Sequence, residues 1–221
     1  GAIFGFLVAR DAYDTAIMVP LFILMSLSLG MAVFWVSTLT MCRWNGYRVS
    51  PELSEKLRRL SALFILGVLS LVALHHLTNI YMAHHQGIER FLLVDGGVYP
   101  WLFWLGFVLC GGIVPVWWFL DRRFCTPAWT VTAALMVIVG GLCHLYVIII
   151  GAQAYPLRLV SGYRVDSGLY DGEITHYLPT LPELALGIGG VSLALLMTML
   201  AVRILPFLPT VTGPLPGSNQ G

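Results

Sequence analysis

The sequence predicts an all-α fold, a polytopic transmembrane bundle of about five spanning helices. Two observations predict it. Only 10% of the 221 residues are charged, against about 25% in a soluble globular domain. Hydrophobic residues make up 58% of the chain, and they gather in runs long enough to cross a hydrocarbon core about 30 Å thick. The formal net charge is +1, which gives no global pull toward nucleic acid.

The spans follow in order. The first, 15–40, holds Pro20 in its opening turns, where a missing N–H does least harm. A polar stretch from Met41 to Arg59 follows. Within it, Ser50-Pro51-Glu52 reads as a helix start, with Ser as N-cap, Pro at the first position and an acid in the first turn. Lys56, Arg58 and Arg59 are placed to snorkel to headgroups as the second span begins. That span, 60–85, stops at Gly87, a helix-ending glycine. The third, 100–120, carries Trp101, Trp104, Trp117 and Trp118 toward its two ends, as an aromatic belt does. The fourth, 128–152, opens on Thr126-Pro127, and a long polar loop, 153–182, leads to the fifth, 183–204. Residues 1–205 thus make one bundle, and the Gly-Pro-rich residues 206–221 a flexible tail. Gly30, Gly111, Gly112, Gly140, Gly141, Gly187, Gly189 and Gly190 suit close helix contact in lipid. The apolar run from Ile3 to Ala9 looks like the tail of a helix whose beginning lies upstream, so the sequence reads as the C-terminal part of a longer protein or as a processed subunit.

Arg10, Arg90, Arg158 and Arg164 fall on one side of such a bundle, and the other eight of the 12 Lys and Arg residues on the opposite side. The richer side is expected in the cytoplasm. The expected setting is the bacterial cytoplasmic membrane, with the C-terminus inside and the 153–182 loop in the periplasm. The cysteines Cys42, Cys110, Cys125 and Cys143 form no C-x-x-C pair and have no histidine at ligand spacing, which argues against an iron–sulfur or zinc site held by this chain alone.

The second span is the most polar. His75, Thr78, Asn79, Met82 and His85 fall on one helical stripe, and the fourth span adds His144 and Tyr146. Intramembrane ionisable residues are costly and face a bundle interior or a wet cavity. Three readings compete: hydrogen bonding between helices and nothing more; haem b, with His75 or His76 and His144 as axial ligands; or a quinone or proton site, which needs an apolar wall beside a few donors or titratable groups in series. For any single residue the first reading is the better bet. A transporter is less favoured, because no matched pair of broken helices is present. The 153–182 loop carries mixed charges and several tyrosines and is long enough to dock a partner. At its end, Thr180 and Glu183 form a T-x-x-E capping box for the fifth helix.

That same stretch, Tyr177, Pro179, Thr180, Pro182 and Glu183, resembles the Y-x-P-T-x-P-E opening of the last helix in the NrfD/PsrC family, the membrane subunits of polysulfide reductase and its relatives. The opening stretch is similar to the family's "R-P-x-W … P-L-F-x-x-S-x-x-x-G" helix, through Arg10, Pro20, Phe22, Ser26 and Gly30. It departs at Asp11, which stands for the family's Pro, and at Tyr13, which stands near its Trp. The resemblance covers nearly all of this chain but only the later part of the family's helices. It implies a subunit that binds quinone or quinol (menaquinone or ubiquinone), holds no metal of its own, and docks an iron–sulfur ferredoxin-like subunit serving a catalytic subunit. Arg10, Asp11, His75, His76, Asn79 and Arg158 are then the candidates for quinone-facing or proton-path roles. The family's quinone pocket lies in earlier helices, so a non-catalytic anchor or scaffold half is the alternative, with a haem b cytochrome as a third.

Overall fold

A computed structural model of the chain describes residues 10, 12–45, 49–156 and 179–204, with the single positions 3, 174 and 177. Asp11, Arg158, the tail 206–221 and most of the 153–182 loop lie outside the described residues. The described residues are helical, with five helices long and apolar enough to cross a membrane. In chain order these are α1 (Met18–Asn45), α2 (Pro51–Tyr81), a short connecting helix α3 (Gln86–Arg90), α4 (Val98–Leu120), α5 (Pro127–Ala154) and α6 (Leu181–Ile204). The chain divides into two compact units, 1–176 and 177–221.

In the first unit α1, α2, α4 and α5 form a closed ring. Neighbours around it are α1 with α2, α2 with α4, α4 with α5, and α5 with α1. Every neighbouring pair is antiparallel. Trp35 of α1 meets Ser61 of α2, and Phe103 of α4 meets His76 of α2. The outward faces carry large apolar side chains such as Leu63, Leu77, Val139 and Leu142, more than half exposed to the surroundings, which is the pattern a lipid-facing bundle needs.

Local chemistry sets the helix ends. Ser50 caps α2, its hydroxyl oxygen accepting from the Leu53 N–H at 3.3 Å, and Pro51 takes the first helical position. Pro127 likewise opens α5, behind a Thr126 whose side chain makes no capping bond. The second helix begins at Pro51 and ends at Tyr81, where Met82 turns to extended backbone and its N–H returns to the Thr78 and Asn79 carbonyls. It therefore stops short of Gly87. Gly97, with φ +65°, sits in the left-handed region that favours glycine and opens α4. Stretches of π-helix run through Leu102–Ile113 of α4 and Val147–Gly151 of α5. Such looser turns are frequent at functional sites.

Small residues bring α4 and α5 to backbone contact. A Cβ added at Gly111 would lie 2.6 Å from the Gly140 Cα, while Gly112 and Gly141 are covered by Leu69 and Leu29. Gly30, Gly187, Gly189 and Gly190 meet nothing within 4 Å, so among the described residues they take no part in helix contact. The core falls into two clusters. One surrounds Tyr13, Met18, Leu21, Phe91, Phe103 and Phe107. The other surrounds Trp35 and Phe119, with Ala32, Ala62, Ala133 and Ala134 between them and Ile65 and Val137 beside them.

Arg58 does not snorkel. It is 4% exposed and donates to the carbonyls of Trp118 and Asp121 at 2.6 and 3.0 Å, and to Cys125 Sγ. The last turn of α4 leaves carbonyls without helical partners, and a buried guanidinium supplies the missing donors. Arg59, on the outer face, pairs with Glu55 one turn earlier.

In the second unit, the carboxylate of Glu183 accepts from the Thr180 backbone N–H at 2.9 Å and from the Tyr177 hydroxyl. The Glu183 half of the capping box is thus formed, and Tyr177 adds a second donor.

Candidate functional site

The end of the ring where α1 begins and α2 stops carries a buried polar cluster. His75 and Asn79 lie one turn apart on α2. His76 beside them is the most accessible member, its side chain 13% exposed. The chain then reverses through Met82–His85, and α3 folds back so that His85 and Glu89 point at the same place. Four of the five side chains, those of His75, Asn79, His85 and Glu89, are buried.

The hydrogen bonds fix the proton pattern. Asn79 Nδ2 donates to Glu89 Oε1 at 2.7 Å and pairs with His75 Nε2 at 3.3 Å. A side-chain amide nitrogen has two protons and no lone pair to offer, so His75 Nε2 is the acceptor of that pair. Asn79 Oδ1 accepts from His85 Nδ1 at 3.2 Å. His76 Nδ1 meets Glu89 Oε2 at 2.6 Å. Both carboxylate oxygens of Glu89 are therefore held, which is what a buried carboxylate requires. Two groups remain without partners among the described residues: His75 Nδ1, and both ring nitrogens of His144. His144 is 1% exposed and stacks on Phe107 with ring centroids 4.0 Å apart.

Aromatic rings flank the cluster. Phe103 stands edge-on to His76 at 4.9 Å and contacts His144 at 6.1 Å. Trp104, half exposed on the outside of the ring, packs against Phe103 at 5.2 Å. Phe103 thus packs against both His76 and His144.

The structure thus gathers His75, His76 and Asn79 into one cluster, and parts Arg10 from it. Arg10 Nη1 donates to the carbonyls of Ala152, Gln153 and Tyr155 at 3.4, 3.0 and 3.1 Å, closing the C-terminal end of α5. Tyr13 donates to the Ile148 and Ile149 carbonyls within the π-helical stretch. Its burial pushes the phenol up to about 12, against a smaller opposing effect from Arg10. Glu89 is the member that sequence reasoning missed, and His85 stood on the α2 stripe without being taken as a candidate. The signal that could have found them was the pair's own spacing, His85 and Glu89 four residues apart behind a histidine-rich helix end.

A ring of four apolar helices, a further apolar helix, and a buried His–Asn–Glu network inside the ring together define a polytopic integral membrane protein with a built polar site. The chain belongs to the family described as polysulphide reductase, NrfD, which it matches over residues 1–156. It is similar to a protein of Archaeoglobus fulgidus named as an Hdr-like menaquinol oxidoreductase integral membrane subunit, with 26% identity over 95% of this chain and 53% of the relative. A second relative, from Halobacterium salinarum and provisionally named as a membrane subunit of dimethyl sulfoxide reductase, is 28% identical over 93% of this chain and 49% of the relative. The chain spans about half the length of these curated relatives. No protein of solved structure matches it. The family match ends before the Tyr177–Glu183 motif, which the alignments to the two relatives are long enough to include.

Proposed function

We propose that the chain is a membrane subunit of a quinone-linked oxidoreductase complex, exchanging electrons between the quinone pool and an iron–sulfur partner that serves a catalytic subunit. Family membership and the roles in the names of the two relatives support the class. The observation that carries the reading for this chain is the His75–His76–Asn79–His85–Glu89 network, buried within a membrane-spanning unit and met from outside past Trp104 and Phe103. A quinone, when bound, carries two electrons together with two protons and needs a flat apolar wall and donors to its oxygens. His76 is the donor nearest the surface, Phe103 and Trp104 supply the wall, and Asn79 and Glu89 hold the imidazoles in place. Asp11 and Arg158 stay candidates, while Arg10 acts on this side by closing α5.

The charges support one orientation. The opposite end, with Arg58, Arg59, Arg122 and Arg123, is assigned to the cytoplasm. The histidine end then faces outward, the side on which an iron–sulfur partner would dock.

Quinol-dependent turnover of the complex tests the reading. His75→Ala and Asn79→Ala are expected to lower turnover by about tenfold or more, through misplaced donors, with the subunit assembled normally. The competing reading is a scaffold role, favoured by the fact that Asn79 and Glu89 spend their side-chain bonds on each other and on neighbouring histidines. Unchanged turnover in both variants would leave that reading in place.

A further inference from the structure

Three side chains at the turn between α2 and α3 offer something besides hydrogen bonds. His75, His76 and Glu89 each present one ligand atom, and these atoms all lie within 4.8 Å of one another. Among the described residues this is the one convergent group of three or more His, Cys, Asp or Glu side chains. Two imidazoles and a carboxylate are a donor set suited to borderline metals, with zinc foremost.

The geometry is close to what an ion needs. Bonds of about 2.0–2.2 Å around a tetrahedral zinc place donor atoms roughly 3.3–3.6 Å apart. Closing the present set therefore asks for about 1 Å of movement at the most separated atoms, within reach of side-chain torsions. The lone pair of His75 Nε2 accepts from Asn79 Nδ2 in the network, and an ion would take it over in place of that bond. The other nitrogen of His75 is buried without a partner among the described residues. His76 Nδ1 and Glu89 Oε2 already face each other at 2.6 Å, and an ion between them would replace the shared proton, as metal binding to imidazole does. Asn79 keeps its hold on Glu89 Oε1 throughout, fixing the carboxylate from behind. His76, partly accessible, is the side from which an ion arrives.

We propose that His75, His76 and Glu89 form a binding site for one divalent transition-metal ion, represented by zinc, joining the end of α2 to α3. Three protein ligands leave a fourth position for water. Ionisation of a zinc-bound water near pH 7 would balance the charge of the buried centre. The inference uses residues of the quinone reading but does not depend on it.

The test uses the full chain purified in detergent, stripped with a chelator and equilibrated with zinc sulfate alone, with no quinone present. About one zinc per chain should be retained, read by elemental mass spectrometry. X-ray absorption at the zinc edge should show two imidazoles and oxygen ligation. His76→Gln and Glu89→Gln should weaken binding by more than about tenfold, and Asn79→Ala by about tenfold. His84→Gln, on the exposed neighbour, should keep it. No retained zinc, or an absorption spectrum with sulfur ligands or without imidazole, would overturn the site, and the spectrum is taken on the unsubstituted protein, so it does not depend on a variant folding. Loss in His84→Gln with retention in the other two would overturn it equally. Because no quinol is present, failure here bears on the metal alone and failure of quinol turnover on the quinone reading alone.

Discussion

At the end of the ring where α2 begins, Arg58 reaches two backbone carbonyls of the α4 terminus and a cysteine, and Trp35 donates to Ser61 at 3.0 Å across a core of alanines. At the end where α2 stops, Arg10 does the same service for α5, reaching three backbone carbonyls. The two arginines are equivalent devices, each finishing a helix that would otherwise leave carbonyls unmet inside the bundle. What distinguishes the ends is everything else. The arginine end is closed by backbone, with the rings of Trp117, Trp118, Phe124 and Trp129 packed together beside it. At the histidine end the polar side chains bond mostly to one another. Three of its buried ring nitrogens, on His75 and His144, lack partners among the described residues, against one nitrogen, Nε of Arg58, at the other end. Backbone-directed polar groups are the mark of structure. A network of side chains holding other side chains, with orphaned imidazole nitrogens beside it, sets the histidine end apart.

Substitutions can break or sharpen this contrast. The largest stability loss is expected for Arg58→Ala, which strips donors from two buried carbonyls and should cost about 3 kcal/mol or more in detergent unfolding. Turnover per folded molecule should hold. A fall in turnover with stability intact would make the arginine end functional and erase the distinction. Gly140→Ala comes next. Its methyl group would meet the Gly111 backbone where α4 and α5 touch, at about 1–3 kcal/mol. Since that contact serves both ends, melting should report a loss without any change in quinol-analogue affinity.

The smallest effect is expected for Tyr13→Phe, about 1 kcal/mol. Tyr13 belongs to the histidine end, yet its hydroxyl donates to backbone carbonyls there, so it should behave like the other end, with stability lowered and turnover kept. Its phenol also gives a pH window. The folded value lies near 12, above the ordinary value of 10.0. The bond's contribution is therefore complete below about pH 10 and declines as pH rises through about 12. Unfolding curves for the wild type and Tyr13→Phe should converge across that window, and a constant gap would contradict the assignment.

The fold class was legible because lipid imposes simple rules, namely few charges and long apolar runs. Caps were legible where the chemistry is local. Ser50 and Pro51 start α2, and Glu183 reaches back to Thr180, both within four residues. The candidate site was only half legible. His75 and Asn79 share a helical stripe and are buried together, as a periodic reading requires. The stripe breaks at Tyr81, though, and Met82, 50% exposed, is no part of the site. His85 arrives there by the reversal of the chain, and Glu89 through a helix of five residues, and no period in the sequence encodes such a return. Arg58 shows the same limit. Its place beside polar neighbours suggested a headgroup contact, while its burial depends on where α4, some 60 residues later, happens to end.

The central claim is that the histidine end, and not the arginine end, meets the quinone. Titration of the purified protein with a fluorescent quinoline N-oxide, a quinol-site analogue, tests it most directly, comparing His76→Ala with Trp35→Phe. Saturable quenching in the wild type and in Trp35→Phe, lost in His76→Ala, is the predicted result. Equal quenching in both variants, or none in a folded wild type, would contradict it.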